Sequence, residues 1–282
     1  MRSARRTWRA AVRLPWAIVI GGPTAVWRYL LPLAQACASQ KVTVAGNRVR
    51  IPGPLPIRLS VVAGNIRMHR LLALAIPAGG TVVDVGANIG YNTLYASRLA
   101  GPGGRVVAIE PAADNVRVLR DNIAANALRN VVVHEIAAGR AHEVRDLFIR
   151  GDTSGVNSLF AQSVYATVTA VEKVTVAPLD DVVDGSADVV KIDVEGAELD
   201  VLGGMTRLLR TPRIQLIVEW HPRLQEAAGY PADALPRVLL DRGFTLRAAS
   251  HTRITRLTAG EIDGLSAHLH RRGRPVELVA TR

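Results

Sequence analysis

From residue 81 onward, short runs of β-branched apolar residues alternate with longer stretches whose apolar positions recur every three or four residues. Residues 81–85, 105–109, 131–136, 188–193 and 214–219 read as strands, and 90–99, 114–126, 197–209 and 232–242 as helices. Strands joined by crossover helices of this length imply an α/β fold, a mostly parallel sheet with helices on both faces. Residues 244–249 and 276–280 read as two further strands. Ahead of this unit lies an N-terminal extension, residues 1–79. It comprises a helical piece to about residue 39, a hairpin over 42–51 around Gly46-Asn47, an extended linker fixed by Pro52, Pro54 and Pro56, and a helix over 66–76. The main domain, 80–282, is interrupted at about 140–185 by an insertion with strand-like pieces, 168–176 among them. Such an insertion is either a substrate-recognising lid or a surface hairpin over the sheet.

The first core strand runs Val82-Val83-Asp84-Val85 into Gly86-Ala87-Asn88-Ile89-Gly90, and the second ends Ala108-Ile109-Glu110-Pro111. A buried strand ending in a glycine turn at a helix start is a ligand-delivering arrangement. A carboxylate closing the next strand, here Glu110, is placed to take both hydroxyls of a ribose. Dinucleotide sites favour Gly-x-Gly-x-x-Gly, with backbone N–H groups facing a pyrophosphate. In this chain Asn88 replaces the middle glycine and Asp84 stands just ahead of the turn. A carboxylate there repels a diphosphate and suits a sulfonium or ammonium cation. Gly86 and Gly90 allow a close backbone approach and a sharp bend. S-adenosylmethionine is therefore the expected cofactor, bound by Asp84, Gly86, Asn88, Gly90 and Glu110.

A second block, Asp188-Val189-Val190-Lys191-Ile192-Asp193-Val194-Glu195-Gly196-Ala197-Glu198, is more distinctive. Together with the glycine turn, Asn157-Ser158-Leu159, Leu179-Asp180 and Glu219-Trp220-His221, it resembles the FkbM-type family of S-adenosylmethionine-dependent methyltransferases over roughly residues 80–222. The resemblance implies a class I methyltransferase (Rossmann-like) fold whose last two strands form a C-terminal antiparallel pair. It further implies O-methylation of a hydroxyl on a saccharide, glycan or secondary metabolite.

Charge narrows the partners. The formal net charge of +11 lies wholly in the first 80 residues, where twelve basic side chains meet no acid; the rest is close to balance. A nucleic-acid enzyme would carry basic residues around its cleft, so no nucleic-acid partner is expected. Arg5, Arg6, Trp8, Arg9, Arg13, Trp16, Trp27 and Arg28 instead suit either a packed helical extension or peripheral contact of residues 1–36 with an anionic membrane. The uncharged run 14–27 is broken by Pro15, Gly21, Gly22 and Pro23 and falls short of the ~20 apolar residues a span needs. It equally makes a poor signal peptide. The single cysteine, Cys37, excludes an internal disulfide and agrees with a cytoplasmic location.

Ligands of open α/β sheets bind outside the carboxyl ends of the strands, and that edge collects Asp84, Glu110, Asp193, Glu195, Glu219 and His221. Lys191, in a buried strand, needs a partner, either Asp193 or Asp180. An alcohol acceptor needs its proton removed. His221 and Asp193 are the candidate bases, with Glu219 beside them; the rival role for His221 is a capping imidazole ahead of Pro222. Asp193, Glu195, Glu219 and His221 offer ligands to a divalent cation, but no spacing demands one, and no metal is assigned. Glu135, near the end of the third strand, is a weaker candidate for an adenine contact. Two readings from other classes stand beside the enzyme: a nicotinamide-dependent Rossmann oxidoreductase, and a non-catalytic nucleoside-binding scaffold docked through the basic N-terminus. Oligomeric state is not legible.

Overall fold

The computed structural model describes residues 40–282 except 45, 53–54, 151–155, 162–166 and 251–252. The expected N-terminal helical piece and the membrane-contacting stretch 1–36 lie outside the described residues. Among the described residues no helix is long and apolar enough to cross a membrane.

The chain opens with a hairpin, β1 (Lys41–Val44) and β2 (Asn47–Arg50), paired antiparallel. A 21-residue helix, α1 (Leu55–Ala75), follows. This corrects the expectation of a proline-fixed linker and a helix confined to 66–76. Pro56 falls in the first turn of α1, where an absent N–H removes no intrahelical bond.

Then come β3 (Thr81–Val85), α2 (Tyr91–Ala100), β4 (Arg105–Ile109), α3 (Ala113–Ala125) and β5 (Val131–His134). The insertion forms a separate sheet: β6 (Ala137–Ala138) runs parallel to β8 (Val168–Ala177), which pairs antiparallel with β7 (Glu143–Arg150). After the short α4 (Leu179–Val182), the core resumes with β9 (Val189–Ile192), α5 (Glu198–Gly203), β10 (Gln215–Trp220), α6 (Pro222–Ala227), α7 (Ala234–Asp241) and β11 (Thr245–Ala249). It closes with β12 (Ile254–Leu257), α8 (Ile262–Arg272) and β13 (Val276–Thr281).

The central sheet has eight strands in the order β12-β11-β13-β10-β9-β3-β4-β5. β10, β9, β3, β4 and β5 run parallel; β13 is inserted antiparallel between β10 and β11. The expected antiparallel pair is therefore present, with β12 added at its edge. Alternate residues of the inner strands feed two apolar layers. Val83, Val85, Val190, Ile192, Leu216 and Val218 face one, and Val82, Val106, Val189 and Ile217 face the other, against α1 and α2. Burial on both faces is why these strands read as continuous apolar runs.

The expected helix over 197–209 stops at Gly203. The next residue, Gly204, lies so close to the Gly139 carbonyl that an added Cβ would sit 1.9 Å from its oxygen. Before β10 the chain makes only a 3-10 turn at Leu208–Arg210.

Candidate active site

At the carboxyl ends of β3, β4, β9 and β10 a cavity of about 230 Å³ opens. Gly86, Asn88, Ile109, Glu110 and Pro111 line one part of it, and Lys191, Asp193, Glu195 and Glu219 another. Asn157, Ser158 and Leu159 of the insertion and Val61 and Asn65 of α1 complete the wall.

Glu110 behaves as a fixed hydrogen-bond acceptor. Its Oε2 takes the Asn88 N–H at 2.8 Å, and its Oε1 takes the Ala112 N–H at 3.1 Å and the Asn115 amide at 3.0 Å. Burial pushes its carboxyl above the ordinary range, opposed by those three hydrogen bonds and by the Lys191 charge. A carboxylate offers about four acceptor positions, so one remains for a hydroxyl of a bound ribose. Asn88 stands at φ 51, a left-handed conformation that Asn tolerates, and its own Oδ1 accepts the Ile89 N–H at 2.7 Å. The turn is thus set before any ligand arrives.

Both glycines bend the turn at positive φ, and the close approach they allow is to the protein's own atoms. Gly86, at φ +76, makes room for the protein itself: an added Cβ would lie 1.9 Å from the Asp193 carbonyl oxygen. Gly90, at φ +89, would meet the Leu119 Cδ1 at 2.5 Å, so it admits α3 against the turn. Neither glycine owes its place to a ligand alone.

Asp84 is also relocated. Its carboxylate is almost wholly buried beneath the cavity and is not part of the wall. Oδ2 accepts from the Thr93 hydroxyl at 2.6 Å, and Oδ1 lies 3.1 Å from the Lys191 Nζ. The pairing is a register effect, since Asp84 and Lys191 are direct partners on the parallel strands β3 and β9. Lys191 also donates to the Gly86 carbonyl at 2.9 Å and faces Asp193 at 3.7 Å. Burial alone would depress the Lys191 ammonium; Asp84 and Asp193 outweigh it and hold the group charged. Of the two expected partners, Asp193 is found in place and Asp180 is not. Asp180 instead accepts the backbone N–H groups of Arg207 and Leu208. Asp84 thus holds Lys191 beneath the glycine turn and does not reach the cavity wall.

Asp193, Glu195 and Glu219 are brought together, with one oxygen of each within 4.8 Å of the others. Burial pushes Glu195 well above the ordinary carboxylate range, and Asp193 and Glu198 push it further. Burial does the same to Glu219, aided by Asp193, Glu195 and Glu277. Such repulsion is relieved by a shared proton as well as by a cation. Beside Glu219 on β13, Glu277 is closed off by a buried ion pair with Arg67 of α1.

His221 is placed elsewhere. Its Nδ1 accepts the Leu224 N–H at 3.3 Å at the start of α6, and the side chain does not line the cavity. Burial lowers its pKa, countered by backbone hydrogen bonds. This is the capping alternative. Glu135 pairs with Arg120 on the surface, away from the cavity wall.

Several wall residues were not singled out from the sequence. Val61 and Asn65 were hidden by the proline-rich start of α1. Asn92 lies in the first turn of α2. The insertion is pinned by Arg150, fully buried, whose guanidinium donates to the carbonyls of Val156, Phe160 and Ala161. Ser158 then reaches across to donate to the Glu195 carbonyl at 2.7 Å.

A parallel sheet with an antiparallel β13, a glycine turn beneath Glu110 and a carboxylate-walled cavity define a class I methyltransferase. The model of the Methyltransferase FkbM domain matches residues 84–246, more than half the chain, and the chain belongs to this family, whose methyl donor is S-adenosylmethionine. Two relatives are each 28% identical. The AMB antimetabolite synthetase AmbE of Pseudomonas aeruginosa aligns over 207 residues, 61% of this chain and 10% of its own. Methyltransferase 1 of Beauveria bassiana aligns over 149 residues, 46% of this chain and 59% of its own. The chain therefore spans a tenth and about three-fifths of these relatives' lengths. Among solved structures, Methyltransferase FkbM from Methylobacillus flagellatus KT is 14% identical at a TM-score of 0.45, over 91% of this chain and 60% of its own. The O-methyltransferase TomG from Streptomyces achromogenes, in complex with S-adenosylmethionine, is 14% identical at 0.44, over 78% and 79%.

The wall suits that donor. Among the described residues Lys191 is its sole cationic side chain, and Asp84, Asp193 and two carbonyls already engage it. A pyrophosphate finds no free cation here, whereas a sulfonium finds carboxylates.

Proposed function

We propose that the chain methylates a hydroxyl group on a saccharide, glycan or secondary metabolite. S-adenosylmethionine supplies the methyl group as a sulfonium substituent. Glu110 and the Asn88 backbone hold the nucleoside end, Gly86 and Gly90 shape the turn, and Asp84 fixes Lys191 beneath it. Asp193 and Glu219 face the acceptor end.

The observation that carries this reading is the grouping of Asp193, Glu195 and Glu219 in the cavity that also contains Glu110. Methyl transfer needs an in-line acceptor, and an alcohol, barely ionised at neutral pH, also needs a base. An amine acceptor has less use for such a cluster. The basic, tryptophan-bearing residues 1–36 favour a cytoplasmic enzyme peripheral to an anionic membrane, which would serve acceptors held there.

The test is to incubate the purified chain with methyl-labelled S-adenosylmethionine and extracts of polar and lipid-linked metabolites, then fragment the labelled products. Label on oxygen is expected. Label confined to nitrogen or carbon would defeat the reading.

A further inference from the structure

We propose that α1, which lies ahead of the residues matched by the family domain, completes the donor site: its Asn65, with Tyr91 and Asn92 of α2, binds the amino-acid end of S-adenosylmethionine. This rests on the donor alone and not on the hydroxyl-methylating reading above.

The donor ends in a carboxylate and an ammonium, and each needs partners of its own. Asp193, Glu195 and Glu219 gather on one side of the cavity and would repel the carboxylate. Lys191 is already held by Asp84 and Asp193. On the side of α1 and α2 the wall is neutral, formed by Val61, Asn65, Tyr91 and Asn92. The free hydrogen-bonding groups stand there.

Tyr91 is the clearest of them. The residue is only 5% exposed, it lines the cavity, and its hydroxyl makes no hydrogen bond among the described residues and is not sealed in. Burial pushes that hydroxyl well above the ordinary phenol range with no charged neighbour contributing, so it stays a donor. His69 of α1 fixes the ring, stacking on Tyr91 at a centroid distance of 5.0 Å and on Tyr95 at 4.0 Å. Asn92 also lines the cavity; its Oδ1 is enclosed and unbonded, which leaves the amide N–H groups to donate. The start of α2 adds backbone donors, since Gly90 caps it without a side chain and its first turn holds no acid. A carboxylate is the group that meets all three.

Asn65 serves the ammonium. One turn before His69 on the same face of α1, it donates its amide N–H to the Val61 carbonyl at 2.8 Å, and its Oδ1 remains as an acceptor. The buried ion pair of Arg67 with Glu277 fastens α1 to β13 and holds this face against the cavity. Asn88, whose N–H is taken by Glu110, is separated from Tyr91 only by Ile89 and Gly90 of the glycine turn. The donor thus spans the turn, with its nucleoside at Glu110, its amino acid at α1 and α2, and its sulfonium between.

Calorimetry of the full chain with S-adenosylhomocysteine and with 5′-methylthioadenosine tests this, because the second ligand keeps the adenosine and the thioether but lacks the amino-acid end. The wild type should bind S-adenosylhomocysteine at least about tenfold more tightly than 5′-methylthioadenosine. Tyr91→Phe, which keeps the ring against His69, and Asn65→Ala, on a separate helix, should each weaken S-adenosylhomocysteine at least about fivefold and leave 5′-methylthioadenosine within about twofold. A loosened fold would instead weaken the two ligands alike. Equal weakening of both, an unchanged S-adenosylhomocysteine Kd in either variant, or a wild type that does not distinguish the ligands would overturn the inference. A wild type that binds neither would overturn it together with the donor site itself.

Discussion

Replacing Lys191 by Met probes the buried pair on which the cavity floor stands. Lys191 and Asp84 have side chains only 3% exposed and 3.1 Å apart. At an effective dielectric near ~20, that separation gives an attraction of about 5 kcal/mol. Asp193 adds less, since it is 31% exposed at 3.7 Å and solvent screens it. Removing the lysine recovers its own desolvation cost but leaves Asp84 buried beside only the Thr93 hydroxyl, so a net loss of about 3–5 kcal/mol is expected. Asp84→Asn alone should cost about as much. The double variant, in which both charges go together, should be more stable than the sum of the singles predicts by at least about 2 kcal/mol. Urea unfolding followed by far-ultraviolet circular dichroism measures all four species. A loss under about 1 kcal/mol for Lys191→Met, or strictly additive losses, would refute the idea that this pair anchors β3 to β9.

His221→Ala should lower stability by about 1 kcal/mol through the lost cap on α6, and leave methyl transfer unchanged; slowed turnover with intact folding would return His221 to the chemistry. Gly86→Ala should cost more than about 2 kcal/mol and abolish donor binding, because the added methyl meets the Asp193 carbonyl at a left-handed φ; normal binding would contradict the close approach. Burial raises the Glu198 carboxyl to about 7. Its folded value thus lies above its unfolded value of ~4.3, so the stability it lends is complete below that pH and is lost as pH rises through 7. Urea midpoints between pH 5 and 8 should therefore fall more steeply in the wild type than in Glu198→Gln, and parallel curves would rule this out.

The inner strands were legible because burial on both faces writes β3, β4, β9 and β10 as unbroken apolar runs. The place of Glu110 at the cavity was legible for a local reason, since it closes a strand beside a glycine turn. The role of Asp84 was not, because its partner is more than a hundred residues away and the pairing depends on the β3–β9 register. α1 was hidden by prolines that a helix accepts in its first turn. Glu195 resembled an ordinary acid at a helix start; its orientation follows from a left-handed backbone held by Ser158, a contact between the insertion and the core. His221 shares a strand end with true cavity residues, and only the three-dimensional path shows its ring turned to the Leu224 N–H.

Glu110 is expected to close a nucleoside pocket tuned to a donor without phosphates. Titration calorimetry of the purified chain with S-adenosylhomocysteine and with NAD, repeated on Glu110→Ala, tests it most directly. Binding of S-adenosylhomocysteine that weakens at least about tenfold in Glu110→Ala, with no heat from NAD, is the predicted result. NAD binding in its place, or an affinity indifferent to Glu110, would contradict the account.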